Sequence, residues 1–216
     1  MVKFDAVIGH FGDQAVKSLL AFQTQDNEAL QAVRNQADLK RIDKIVHWLQ
    51  SYQVFLGITG QQRTAIASAV LRWADSRDQT KRLTTEDSLC EAHESLMDKC
   101  EEAYGKERNF KSLASKALWL CYPDDVPLLD SFAKRALWVL AKMDDGIKPL
   151  TNDALIKLAP LPKNREYRQF VHIWKAFYGR YEEQINAVDK CGYLYAVRVF
   201  DIILWIIGTP DYEYAQ

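Results

Sequence analysis

Asp130 and two lysines upstream of it, Lys111 and Lys116, are the residues whose types and spacing could do chemistry together. They lie in Phe110 to Leu137, FKSLASKALWLCYPDDVPLLDSFAKRAL, which reads as a lysine-bearing helix, a proline-flanked turn and an aspartate where a new helix begins. A carboxylate at a helix start sits near the positive end of the macrodipole and beside N–H groups that lack intrahelical partners, which favours its ionised form. An amine brought near it completes a pair suited to cleaving the glycosidic bond between a base and its sugar. Breaking that bond builds positive charge on the sugar, and the carboxylate stabilises it while orienting a water or deprotonating the amine. A lysine of lowered pKa can instead attack C1′ and form a Schiff base, which permits strand cleavage afterwards. Asp130 fits the first role, and Lys111 or Lys116 the second. With neither lysine so placed, water is the nucleophile.

The elements that must position these groups are helices. Strand signals are nearly absent, while apolar residues recur at helical spacing throughout. Asp26 to Leu49 carries Leu30, Val33, Ala37, Ile42, Ile45, Val46 and Leu49, expected in two helices, and Gly57 to Gly60 breaks the pattern. Gln61 to Arg77 places Ile66, Ala69, Val70 and Trp73 on one face. The polar run Ser76 to Thr85 reads as a loop or lobe boundary, and Thr85-Glu86-Asp87-Ser88 caps a helix reaching about Tyr104. After a turn at Gly105 to Asn109 comes the helix Lys111 to Cys121. Tyr122 to Pro127 is a tight connection, since each proline disfavours helix at the residue before it. Ser131 to Met143 is helical, and Asp144 to Pro162, with four glycines and prolines in it, joins it to a C-terminal helical pair. Glu166 to Tyr181 is the first of the pair; Cys191 to Gly208, apolar on nearly all sides, is expected as a buried central helix. Within it Arg198 and Asp201, at i and i+3, are expected to pair with each other. The class is all-α, a single unit over 1–216 with two lobes, 1–80 plus 163–216 and 81–162, sharing a cleft.

Composition narrows the function classes. Lys and Arg number 28 against 29 Asp and Glu, so there is no overall push toward nucleic acid, although a local basic surface remains possible. Cys90, Cys100, Cys121 and Cys191 form no CxxC pair and no metal-ligand spacing with the four histidines. They are expected to be buried free thiols, with no metal and no cofactor. The start lacks a basic region followed by an apolar core. The most apolar run, Val197 to Gly208, is interrupted by Arg198 and Asp201 and is too short to span a bilayer. A cytoplasmic protein, monomeric and free of membrane, is the expectation.

Lysine-bearing helix, proline-rich turn and aspartate together resemble the helix-hairpin-helix DNA glycosylase superfamily. Members place a catalytic lysine at the start of the second hairpin helix, and a catalytic aspartate follows a Pro-x-Asp-like turn roughly five helical turns of residues later. Here Pro127-Leu128-Leu129-Asp130 supplies a similar turn, one residue longer. Lys111, 19 residues before Asp130, has the family's spacing; Lys116 lies 14 before it. The wording Ser115-Lys116 and Pro127-x-x-Asp130-Ser131, with Phe200-Asp201 through Gly208, is similar to a bacterial branch related to 8-oxoguanine glycosylases. Part of that branch consists of phage-defence enzymes that remove glucosylated hydroxymethylcytosine. The resemblance covers about Gly105 to Leu140 and, more weakly, Val197 to Gly208. It implies a two-lobed helical fold of that type, double-stranded DNA as partner, and a base-excising glycosylase, with associated lyase activity if a lysine is the nucleophile. An 8-oxoguanine repair enzyme is one alternative, and a non-catalytic helical module binding DNA or protein is another. The hairpin departs from the family: Glu107-Arg108-Asn109 stands where Gly-x-Gly lets backbone N–H groups reach a phosphate. The cysteines are too scattered for the iron–sulfur cluster of some relatives.

Phosphate contact therefore falls to side chains: Lys106, Arg108 and Asn109 at the turn, with Ser131, Lys134 and Arg135 after the aspartate. An extruded base needs aromatic or apolar walls, for which Trp119, Tyr122 and Trp138 are the candidates, with core packing as the alternative. Gln61 and Gln62 are candidates to fill the gap left by a flipped nucleotide, or else form a polar helix start. Asp124 and Asp125 read as solvated turn formers without chemistry.

Overall fold

The computed structural model describes residues 4–143, 146, 147, 149, 150 and 165–209, and among them every regular element is an α-helix. In chain order these are α1 (Phe4–Arg34), α2 (Arg41–Ser51), α3 (Gly60–Asp75), α4 (Glu86–Tyr104), α5 (Lys111–Cys121), α6 (Ser131–Met143), α7 (Arg165–Ala187) and α8 (Ala196–Gly208). The expected linker between α6 and the C-terminal pair lies largely outside the described residues. No described helix is long and apolar enough to cross a membrane.

Local chemistry sets the helix ends. Thr59 opens α3 and Thr85 opens α4, each through a reciprocal capping box, with Gln62 and Ser88 respectively. Gly105 closes α4 in the left-handed region at φ 81°, a conformation that favours glycine. The C-terminal helix begins later than its apolar run suggests. Cys191 and Gly192 both adopt positive φ, which turns the chain, and α8 starts only at Ala196. Ala37, expected on a helix face, lies exposed in the turn between α1 and α2.

The chain divides into two compact units, a central one of residues 22–126 and a terminal one of residues 1–21 with 127–216. The expected lobes had put a boundary in the 76–85 loop. That loop is instead internal to the central unit, because α3 packs on α4 and Asp125 holds Leu83. In the central unit α2 packs on α3 and α5, and α4 packs on α5. Its interior holds Trp48 stacked on Trp119, ring centres 5.9 Å apart. The Trp48 indole N–H donates to the buried Asp26 carboxylate at 2.8 Å. Arg41 ties three helices: it donates to the Ala32 and Val33 carbonyls at the end of α1 and forms a two-bond fork with Asp75 at the end of α3. Such a fork is a guanidinium geometry that lysine cannot reproduce.

In the terminal unit α6 packs on α7 and α8, and these pack on each other. Trp174 of α7 contacts Phe200 of α8, with Tyr178 stacked on it. The approach of α8 to α6 is backbone on backbone. A Cβ on Gly208 would stand 2.0 Å from the Phe132 carbonyl oxygen, where no side chain is in the way to move. Gly208→Ala is therefore expected to lower stability by about 2 kcal/mol or more, overpacking outweighing the better helix propensity of alanine. Urea denaturation checks this, and an unchanged midpoint would mean that the two helices separate at no cost.

Candidate active site

Asp130 is the N-cap of α6. Its Oδ1 accepts the Ala133 N–H at 2.8 Å, and its carbonyl accepts the Lys134 N–H at 3.0 Å. The side chain is half-buried, and among the described residues its Oδ2 takes no hydrogen bond. One oxygen is thus committed to the helix start, and among the described residues the other is available. The preceding residues, Pro127, Leu128 and Leu129, are buried.

The turn is held from α8. Asp201, 3% exposed, accepts the Leu128 N–H on Oδ2 at 3.0 Å and the Trp174 indole N–H on Oδ1 at 2.9 Å. Its hydrogen bonds therefore go to these two donors, whereas pairing with Arg198 was expected; the buried Arg198 acts on it as a neighbouring charge. Burial pushes the Asp201 carboxyl up to about 7, opposed by Arg198 and by the two N–H donors and reinforced by the negative charge of Asp130. By its spacing alone Asp201 is expected only to pair with Arg198. Its service to the Asp130 turn, from 73 residues away, had no local signal.

The two lysines belong to the central unit. Lys111, half-buried, is the first residue of α5, and its backbone is fixed on both sides. Its N–H donates to Asn109 Oδ1 at 3.1 Å, and its carbonyl accepts the His93 Nε2–H at 2.9 Å. Lys116, 4% exposed, donates to Ser112 Oγ at 2.9 Å and lies over the Tyr52 ring. Both are held at defined places on α5, one at its start and one inside it.

Several residues expected to grip phosphate are occupied within the fold. Arg108 donates to the Leu56 carbonyl and stacks over Tyr104 and Phe110. Asn109 spends its side-chain oxygen on the turn before α5. Lys134 pairs with Glu166 at 2.6 Å. Lys106 lies exposed over the Tyr104 ring, and Ser131 and Arg135 are exposed at the start of α6. Of the aromatic candidates, Trp119 is fully buried against Trp48, which is the core-packing alternative. Tyr122 is buried, which pushes its phenol up, and Trp138 is half-buried. Gln62 serves the Thr59 capping box, the polar helix start.

Asp125 corrects another expectation. It is not a solvated turn former: its carboxylate, 5% exposed, pairs with Arg82 and accepts the Leu83 N–H. Cys90, Cys100 and Cys121 are buried, and burial pushes the Cys100 and Cys121 thiols up to about 12. Cys191, expected buried, is exposed on its turn. Among the described residues no cluster of three or more His, Cys, Asp or Glu side chains could hold a metal ion. No protein-family model, curated protein or solved structure matches the chain.

Asp201 makes stability pH-dependent. A carboxyl that titrates near 7 when folded but near 3.9 when unfolded holds its proton more tightly in the fold. Its ionisation therefore subtracts stability as pH rises from about 4 to about 7, on the order of a few kcal/mol, with no further change above. Urea denaturation of the protein and of Asp201→Asn at pH 4.5 and 7.5 is expected to show this fall in the parent and its absence in the variant. Parallel pH profiles would count against it.

Proposed function

We propose that this protein is a DNA glycosylase that excises a modified base, with Asp130 as the carboxylate that stabilises the charged sugar. One observation carries the reading: the Asp130 carboxylate, half-buried at the start of α6, uses Oδ1 as a cap and keeps Oδ2 free of hydrogen bonds among the described residues. The cap uses one carboxylate oxygen and leaves the second for another partner. The rigid turn and the helix start give the second oxygen a fixed direction and a favourable electrostatic setting. The wording of the turn, Pro127-Leu128-Leu129-Asp130-Ser131, supports a bulky modified cytosine of phage DNA as substrate, with oxidised guanine as the alternative. Lys111 or Lys116 is the assisting amine if the enzyme has lyase activity; otherwise water attacks.

A second reading, a helical module that binds DNA or protein without chemistry, draws on the engagement of Arg108, Asn109 and Lys134 in internal contacts. Both readings meet one experiment. The protein is incubated with duplexes carrying glucosylated hydroxymethylcytosine, 8-oxoguanine or uracil, and abasic sites are revealed by alkali cleavage. Base release that falls about 100-fold or more in Asp130→Asn supports the glycosylase. Duplex binding without release, unchanged by that substitution, supports the module. Borohydride trapping of Lys111→Met and Lys116→Met then assigns the amine: the variant that loses the covalent adduct has lost the nucleophile. No adduct in the parent means that water attacks.

A further inference from the structure

We infer that Asp201 is the positioning residue for Asp130: its buried carboxylate fixes the backbone of the Pro127–Leu129 turn and so sets where the Asp130 carboxylate points. The catalytic consequence rests on the glycosylase reading, while the positioning itself does not.

Asp130 hangs on a backbone that enters from a turn, where no helical ladder holds it. Pro127 brings no N–H, so Leu128 has the first amide after it, and that amide donates to Asp201. On the other side of Asp130, the same helix meets the Phe132 backbone at Gly208 with no room for a Cβ. One element, α8, therefore grips the chain two residues before Asp130 and two residues after it. The Asp130 side chain adds a third restraint through the Ala133 N–H.

The choice of a carboxylate at 201 is informative. A buried charge is costly to desolvate, and a packed apolar residue in its place would commonly be no less stable. Two N–H donors converge on this group from different elements, one on each oxygen. A carboxylate accepts both, whereas an amide offers one oxygen and sets its own NH2 against the other donor. The ionised acid thereby ties Leu128 and Trp174 to one point. What this arrangement secures is direction: the turn stays in one place relative to α7 and α8.

Backbone amide exchange by NMR tests the claim in Asp201→Asn and in Trp174→Phe, which removes the second donor but leaves Leu128 bonded. Asp201→Asn is expected to accelerate exchange at Leu128 and Ala133 about tenfold or more beyond the change in α7, while Trp174→Phe leaves both near the parent. Equal acceleration in the two variants, or no change at Ala133 in Asp201→Asn, overturns it. If Asp201→Asn does not fold, Asp201→Ser, which keeps one oxygen and admits water, takes its place. On a substrate that the panel identifies, kcat is expected to fall at least about tenfold in Asp201→Asn with KM unchanged, and to hold in Trp174→Phe. Base release lost in Asp130→Asn but intact in Asp201→Asn sinks the positioning role and leaves the glycosylase standing. Absence of release by the parent from every substrate sinks the glycosylase, and amide exchange alone then decides whether Asp201 positions the turn.

Discussion

A single buried carboxylate joins three parts of the terminal unit: α8, the turn before α6, and α7. Asp201 sits among apolar side chains of α8 and receives one N–H from the turn before α6 and another from an indole on α7. Desolvation alone would leave such a group protonated and weakly held. Two donors and the nearby Arg198 act in the opposite direction, and the balance falls near neutrality. The helices of this unit also make a close approach, which Gly208 permits, and hold a turn that ends in the half-buried Asp130.

The central unit is organised by charge in a different way. Arg41, Arg82 and Arg108 each bind a carboxylate or a carbonyl far away in sequence. These contacts tie turns to distant parts of the unit. A side chain spent this way offers less to a polyanion. Affinity for DNA, on the proposed function, falls to exposed groups such as Lys106 and Arg135 and to backbone N–H groups at helix starts.

The helices from Asp26 onward were legible because their signals are local, whereas Phe4 to Gln25, the greater part of α1, carries no comparable signal. Thr85 announces a cap three residues ahead of its partner, the glycines at 57 and 60 announce a break, Gly105 announces a turn, and the prolines at 123 and 127 bracket another. Asp130 was legible as a helix start for the same reason. Partners distant in the chain were not. Asp26 with Trp48, Arg41 with Asp75, and Asp201 with Leu128 are separated by 22, 34 and 73 residues. Periodicity says which face is apolar but not which polar group that face encloses. The aromatic candidates show the same limit: Trp119 occurs at a spacing that suits a pocket wall and a core equally, and its stacking on Trp48 is a fact of packing. The polar 76–85 loop suggests a boundary through composition, yet the packing of α3 on α4 and the hold of Asp125 on Arg82 and Leu83 keep it inside the central unit.

The contact between Gly208 and Phe132 has a consequence for how this protein can drift. Most crowded spots in a core are relieved by trimming the neighbour, since the obstacle is a side chain that another mutation can shorten. Here the obstacle is a main-chain carbonyl, which every residue type at position 132 would present. A selection for second-site rescue of a bulkier residue at 208 should then recover reversions to glycine, because the genetic code has no smaller peptide group to offer.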